Sequence, residues 1–326
     1  MIDTTVTSLF ILAMLLCPGI SQATGTIATP TLIDLEIPVL NYHRFVGDQV
    51  EYSTYMKRRL SDFRRDLERL YVAGYSLISL DELIDGNYQL PPGRRPLVLS
   101  IDDAYFADQL WLDPSTGAPS PNCGIGVLWQ FYQVHPGFGF KVAMFANFGD
   151  KYYGNVYRNG WWYLGDGWED DLAAAIVWGI EHGVMPYNHL YIHPRLDLTE
   201  YADIWPQAEM NDKALRALLA LVQREDLIEQ VNNFIALPYG VWPESQAGID
   251  HLIAYMDPEG RSVKAIFEAG YEHMPKYATP QAQNFSPYHI PRLAGIDVAI
   301  KAVTERQRKM LNWTSKENAI GYWNQQ

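Results

Sequence analysis

Leu97-Val98-Leu99-Ser100-Ile101-Asp102-Asp103 reads as a short buried strand that runs into two adjacent carboxylates. Gly93-Arg94-Arg95-Pro96 breaks the chain just before it, which sets the strand's start. Upstream, Ile37-Pro38-Val39-Leu40 reads as a first strand, with Pro38 placed where a strand tolerates it, near the start. Between the two, Met56, Leu60, Phe63, Leu67 and Leu70 recur at three- and four-residue steps across residues 53–74, and Gly74 closes that amphipathic helix. Ser79 then caps a short helical turn through Ile84. Downstream, residues 104–123 are rich in Pro, Asp, Ser and Gly and read as an irregular excursion. A helix over residues 127–133 and a strand over 142–145 follow. Next come a helix over 169–182 stopped by Gly183 and a strand over 184–187. Asn211 is a candidate N-cap for a helix carrying Leu215, Leu218, Leu219 and Val222, and a strand over 234–237 ends in Pro238-Tyr239-Gly240. Short apolar strands alternating with helices imply parallel strands joined by crossovers, so the fold class is α/β, as an open layout or a barrel. No internal repeat and no linker divides residues 35–297.

Composition bounds the partners. The chain has 326 residues, 48% hydrophobic and 19% charged, ordinary values for a protein that buries a full core. A net charge of -13, without any basic run, argues against a nucleic-acid partner and makes an anionic polymer a poor substrate. Aromatic residues make up 13%, and Trp161, Trp162 and Tyr163 stand among Gly and Asn where rings could stack on sugar faces, although core packing is the commoner use of such rings. Cys17 and Cys123 are the only cysteines, too few for a disulfide scaffold. Residues 1–23 read as a signal peptide, with an apolar stretch over 9–16 and Ser21-Gln22-Ala23 as the cleavage pattern, although Asp3 stands where a basic residue is usual. Residues 24–34 are a Thr-containing lead segment. The expected location is therefore secreted or periplasmic, with no stable membrane span in the mature protein.

In parallel α/β architectures the working side chains gather at the carboxyl ends of strands. Asp102 and Asp103, His189 and His193, and Tyr239 all fall at such ends. Adjacent carboxylates disfavour joint ionisation unless a cation lies between them. An isolated Asp-Asp is more often a turn or cap pair. His189 and His193 change that balance, because a four-residue separation brings both imidazoles to one side if the segment is helical or turns back once. One carboxylate with two imidazoles is a recognised zinc ligand set that leaves a position open for water, and the absence of His-Glu-x-x-His argues against a helical zinc peptidase.

The ordered series Ile37-Pro38-Val39-Leu40-Asn41-Tyr42-His43, Leu99-Ser100-Ile101-Asp102-Asp103, Asn188-His189-Leu190-Tyr191-Ile192-His193-Pro194, Leu237-Pro238-Tyr239-Gly240 and Ile290-Pro291-Arg292 resembles the motif series of the NodB-type polysaccharide deacetylase family. The resemblance implies a distorted (β/α) barrel of fewer than eight strands, with residues 35–326 as a single deacetylase domain and an inserted loop around residues 104–123. It implies one divalent metal ion, zinc by preference, held by Asp103, His189 and His193. It makes Asp102 the general base toward a metal-activated water, and it places Pro238 and Tyr239 along the substrate groove with the Tyr239 amide toward the oxyanion. The implied substrate is an N-acetylated or O-acetylated polysaccharide. Three positions depart from the pattern. Ala236 stands where many members carry an Arg that orients the base, and Arg292 is the candidate replacement. Ala104 replaces the Gly after the Asp pair. No C-terminal apolar-His motif supplies an acid, which leaves His289 and His43 as candidates. Two other readings stay open: a catalytically impaired carbohydrate-binding module of this fold, and a metal-dependent C-N hydrolase of a small cyclic amide.

Overall fold

Strand β5 (Arg95–Ala104) is longer than the apolar run alone suggests, because its first residues pair with β4 (Tyr75–Leu77) and its middle pairs with β1 (Val39–Tyr42) and β6 (Val142–Ala146). The computed structural model describes residues 36–149, 168–269 and 276–306. The signal-peptide reading, Cys17 and the Trp161-Trp162-Tyr163 cluster lie outside those residues. β7 (Val184–Asn188), β8 (Phe234–Ala236), β9 (Ala265–Phe267) and β10 (Leu293–Ala294) complete a sheet in the order β10-β1-β5-β6-β7-β8-β9, and every registered pairing in it is parallel. Ile290 bridges Phe267 at the end of β9, while Leu293 and Ala294 register on Leu40 and Asn41 of β1. The segment from Ile290 to Ala294 therefore carries the sheet from its last strand back to its first, a distorted barrel as the resemblance implied, although with β4 paired beside β5 the sheet has eight strands rather than fewer.

Helices cover the strands as crossovers require. α1 (Leu60–Val72) buries Phe63, Leu67 and Leu70, the stripe expected from the spacing. It starts later than Ser53, since Lys57–Arg59 forms β3 beside β2 (Arg44–Val46), and the Ser53 hydroxyl donates to Asp62 and accepts from the Arg59 N–H. α2 (Leu80–Asp85) opens with a full capping box between Ser79 and Glu82. Residues 104–123 are turns apart from the end of β5 and one bridge, Leu112 to Pro119, until Cys123 caps α3 (Gly124–Val134). α4 (Trp168–His182) ends at Gly183, whose φ of 90° suits glycine and whose hydrogen faces the Phe140 carbonyl, where a Cβ would stand 2.8 Å away.

Asn211 is not a helix N-cap. α5 (Tyr201–Leu221) begins ten residues earlier and runs through Pro206, and Asn211 lies on its buried face with Ile204, Ala208, Leu215 and Leu219. Its amide accepts from the Phe148 N–H at 2.8 Å and donates to the Ala146 carbonyl at 2.9 Å, so its polarity serves the exit of β6. α6 (Gln246–Ile253) completes the set, with Ser245 as its cap. Among the described residues no helix is long and apolar enough to cross a membrane.

Candidate active site

Asp102 and Asp103 sit at the end of β5, where neighbouring side chains on a regular strand would face opposite ways. Asp103 breaks that alternation with a φ of 52°, a conformation that non-glycine residues rarely adopt. Asp102 is buried, and Arg292 grips it with both arms, Nη1 to Oδ1 at 2.6 Å and Nη2 to Oδ2 at 2.7 Å. Asn41 from β1 adds a third donor, Nδ2 to Oδ2 at 3.1 Å. Arg292 is itself only 1% exposed, its Nε donates to the Glu268 carbonyl at 2.8 Å, and among the described residues Asp102 is the carboxylate it pairs with. Burial by itself would raise the Asp102 pKa, but the Arg292 charge and the Arg292 hydrogen bonds outweigh it and hold the carboxyl well below the usual range.

His189 and His193 bracket a tight reversal after β7, with Leu190 at φ 59° and His193 at φ 54°. Of the two geometries the spacing allowed, the turn is the one formed. The buried His189 Nδ1 lies 2.9 Å from the Ala236 carbonyl, and since a carbonyl only accepts, Nδ1 carries the proton and Nε2 is left with its lone pair. Ala236 thus contributes its backbone. Burial first, and His193 second among the lowering causes, push the His189 pKa down to about 3, so the ring is neutral and able to ligate.

The His193 Nε2 lies 3.4 Å and the His189 Nε2 3.7 Å from Asp103 Oδ1, and the ligand atoms of all three residues fall within 4.8 Å of one another. Ligands bound tetrahedrally at about 2.0 to 2.1 Å stand about 3.3 Å apart, so these residues fit a zinc-sized ion with small adjustments. Asp102 Oδ2 lies 3.8 Å from His189 Nε2, beside that group and engaged by Arg292.

Tyr239 follows β8 with a φ of 57°, and its half-exposed ring packs at 62° on the His193 ring, centroids 4.5 Å apart, while Pro238 is buried beneath it. The two acid candidates separate. His289 is bound to Glu268 at 3.0 Å and leans on Trp242. His43, directly after β1, is close enough to Asp102 to help lower its pKa, and its Nδ1 is buried with no hydrogen-bond partner among the described residues. Sequence reasoning missed the residues that brace these groups. Asn188 accepts from the Leu190 N–H at 2.8 Å inside the His189 turn, and donates at 2.7 Å to Asp212 of α5, which also accepts from Tyr255 at 2.7 Å. The adjoining Asn188 in the His189 motif was the one available signal.

The buried Asp102–Arg292 pair and the carboxylate–imidazole trio thus stand together at the mouth of a parallel barrel. No family profile matches the chain, and no curated protein matches it in sequence. Solved structures do. The chain is similar to IcaB from Ammonifex degensii (16% identity, TM-score 0.52, covering 84% of this chain and 97% of that one) and to the Streptococcus pyogenes deacetylase PplD solved with acetate (14%, 0.51, 83% and 98%). It is also similar to BC0361, a polysaccharide deacetylase from Bacillus cereus (13%, 0.51, 83% and 69%). At these identities the likeness establishes the fold.

Proposed function

We propose that this protein is a metal-dependent hydrolase that removes acetyl groups from an N-acetylated or O-acetylated polysaccharide outside the cytoplasm. The observation that carries the reading is the arrangement at the barrel mouth: Asp102 held by Arg292 on one side, and Asp103, His189 and His193 converging on the other. PplD, of similar fold, is described in complex with acetate, the small product that such a reaction releases. A divalent ion in the trio would supply Lewis-acid polarisation of the acetyl carbonyl and lower the pKa of a water beside it.

The chain's own residues do the rest. Asp102, kept ionised by Arg292, takes a proton from the attacking water, and its fixed orientation keeps that proton path short. The Tyr239 amide faces the carbonyl oxygen as negative charge develops, a donor worth on the order of 3 kcal/mol in such settings. His43 gives a proton to the leaving nitrogen or oxygen as the acyl bond breaks, yielding acetate and a free amine or hydroxyl. The test is acetate release from chitin-type, peptidoglycan-type, poly-N-acetylglucosamine and acetyl-xylan oligomers by zinc-reconstituted protein. Release from at least one, abolished by chelation and restored by zinc, is expected. No release from any by protein carrying one zinc per chain would favour the impaired carbohydrate-binding alternative.

A further inference from the structure

The excursion after the Asp pair holds a side chain that touches every part of the site's acid-base frame. Gln109 is 0% exposed, and its Nε2 lies 2.7 Å from the His43 carbonyl, 3.0 Å from the Asp102 carbonyl and 3.4 Å from the Asp103 carbonyl. Its Oε1 accepts from the Phe106 N–H at 2.7 Å. Carbonyls only accept and an N–H only donates, so the amide orientation is fixed by its partners. The preceding residue continues the clamp. Buried Asp108 accepts from Arg44 Nε at 2.9 Å and from the Phe45 N–H at 2.8 Å. Two consecutive residues of the excursion thus hold three consecutive residues after β1, with His43 at one end. The excursion is anchored in turn, since the Gly124 and Ile125 N–H groups donate to the Asp108 and Gln109 carbonyls at the start of α3.

The geometry points to Gln109 as a positioning residue that sets His43 against Asp102 and fixes the left-handed turn at Asp103. The role assigned to His43 rests on the deacetylase reading; the effect on Asp103 needs only that the trio binds a metal. The three carbonyls belong to two separate segments, His43 lying 66 residues and Asp102 only 7 residues before Gln109, and main-chain pairing ends at the mouth: β1 stops at Tyr42, and the β5–β6 register shifts between Ile101 and Ala104. Gln109 stands where the ladder gives out. An amide with two hydrogens shared among these acceptors holds their spacing at a point where a groove of solvent and substrate would otherwise let it drift.

Gln109→Glu keeps the shape and the acceptor for Phe106 but removes at least one donor, and Gln109→Met removes both polar atoms at similar volume. Zinc affinity of each apoprotein is measured by competition with a chromogenic chelator, alongside its melting temperature. A folded variant with zinc binding weakened about 10- to 100-fold is expected, the usual cost of removing a group that orients a metal ligand. Unchanged affinity in a folded variant overturns the proposal, whatever the acetate assays show. Loss of the fold in both variants also overturns it, leaving Gln109 as core hydrogen bonding. Wild-type protein that binds zinc but releases no acetate defeats the deacetylase reading alone, and the zinc titration still decides on Gln109. With acetate release in hand, kcat is expected to fall about 10- to 100-fold with KM within about threefold. That loss should shrink in a His43→Ala background, and full additivity with His43→Ala would remove His43 from the proposal.

Discussion

Asp102 is almost wholly out of water and still ionised, and the arithmetic of that state rests on Arg292. Each of the two guanidinium nitrogens faces its own carboxylate oxygen at 2.6 and 2.7 Å, a fork that a lysine cannot reproduce. Arg292→Ala is expected to leave a buried, uncompensated carboxylate, lowering stability by about 3 to 5 kcal/mol and depressing turnover, and Arg292→Lys to restore little of either. Denaturant melts with steady-state kinetics check both, and a lysine variant with wild-type kcat would end the argument for orientation. Asp102→Asn keeps the shape and is expected to retain zinc while losing about 100- to 10,000-fold in kcat, the range of a lost proton transfer. His189→Ala is expected to lose zinc and activity together, read by metal analysis of the dialysed protein. At this scale the polar residues at strand ends were legible, because Asp102, Asp103, His189, His193 and Tyr239 each follow an apolar run. Arg292 was legible only through its Ile-Pro-Arg setting. Gln109 and Asp212 were not, since a brace defined by contact across distant segments leaves no periodicity along the chain.

Elements were legible where a single physical signal governed them. The capping box at Ser79 and Glu82 satisfies two orphan backbone donors through local chemistry alone, and the helix it opens was placed correctly. Ser79→Ala is expected to cost about 1 kcal/mol, seen as a small fall in melting temperature with zinc binding unchanged. α5 was misplaced because two signals compete there. Asn is a good cap, and Pro206 interrupts the apolar pattern to its N-terminal side, yet Ile204, Ala208, Leu215 and Leu219 form one stripe on which Asn211 also lies. Tertiary demand decided it: the chain leaving β6 needs both a donor and an acceptor from the helix, and Asn211 supplies them. Asn211→Leu is expected to strand the Phe148 N–H and Ala146 carbonyl and to cost about 1 to 3 kcal/mol. A variant that melts with the wild type would show that those groups find other partners. α1 taught a similar lesson, for Met56 fits the helical spacing but Arg59 is extended, at φ -63° and ψ 142°, and its strand is claimed by β2.

At the scale of the whole molecule, alternating strands and helices announced parallel α/β and the resemblance added the barrel, while its closure through Ile290 and Leu293, which brings Arg292 to the mouth 190 positions from Asp102, left no signal along the chain. Closure has an electrostatic consequence, because a barrel packed with polar braces carries carboxyls in dry surroundings. Asp212, which links α5 to the His189 turn, has its pKa raised to about 6, chiefly by burial, against the lowering influence of hydrogen bonds from Tyr255 and Asn188. A carboxyl whose folded pKa exceeds its unfolded value binds more protons in the folded state between those values, so its contribution to stability is greatest at low pH and declines as pH rises toward 6. His189, whose pKa is lowered by burial, acts in the opposite sense as pH falls below the ordinary histidine value, so the raw melting curve mixes the two. The difference between Asp212→Asn and wild type cancels that background. In chelator-treated protein, the variant's melting temperature minus the wild type's is expected to climb from pH 4 to pH 7, by the equivalent of on the order of 2 kcal/mol, and then level off. The variant amide cannot ionise, and the Tyr255 hydroxyl can turn to accept from it, so the packing at pH 4 is nearly matched. A difference that stays constant across that range would mean that Asp212 titrates as it does in the unfolded chain, and that water reaches the brace beneath the His189 turn.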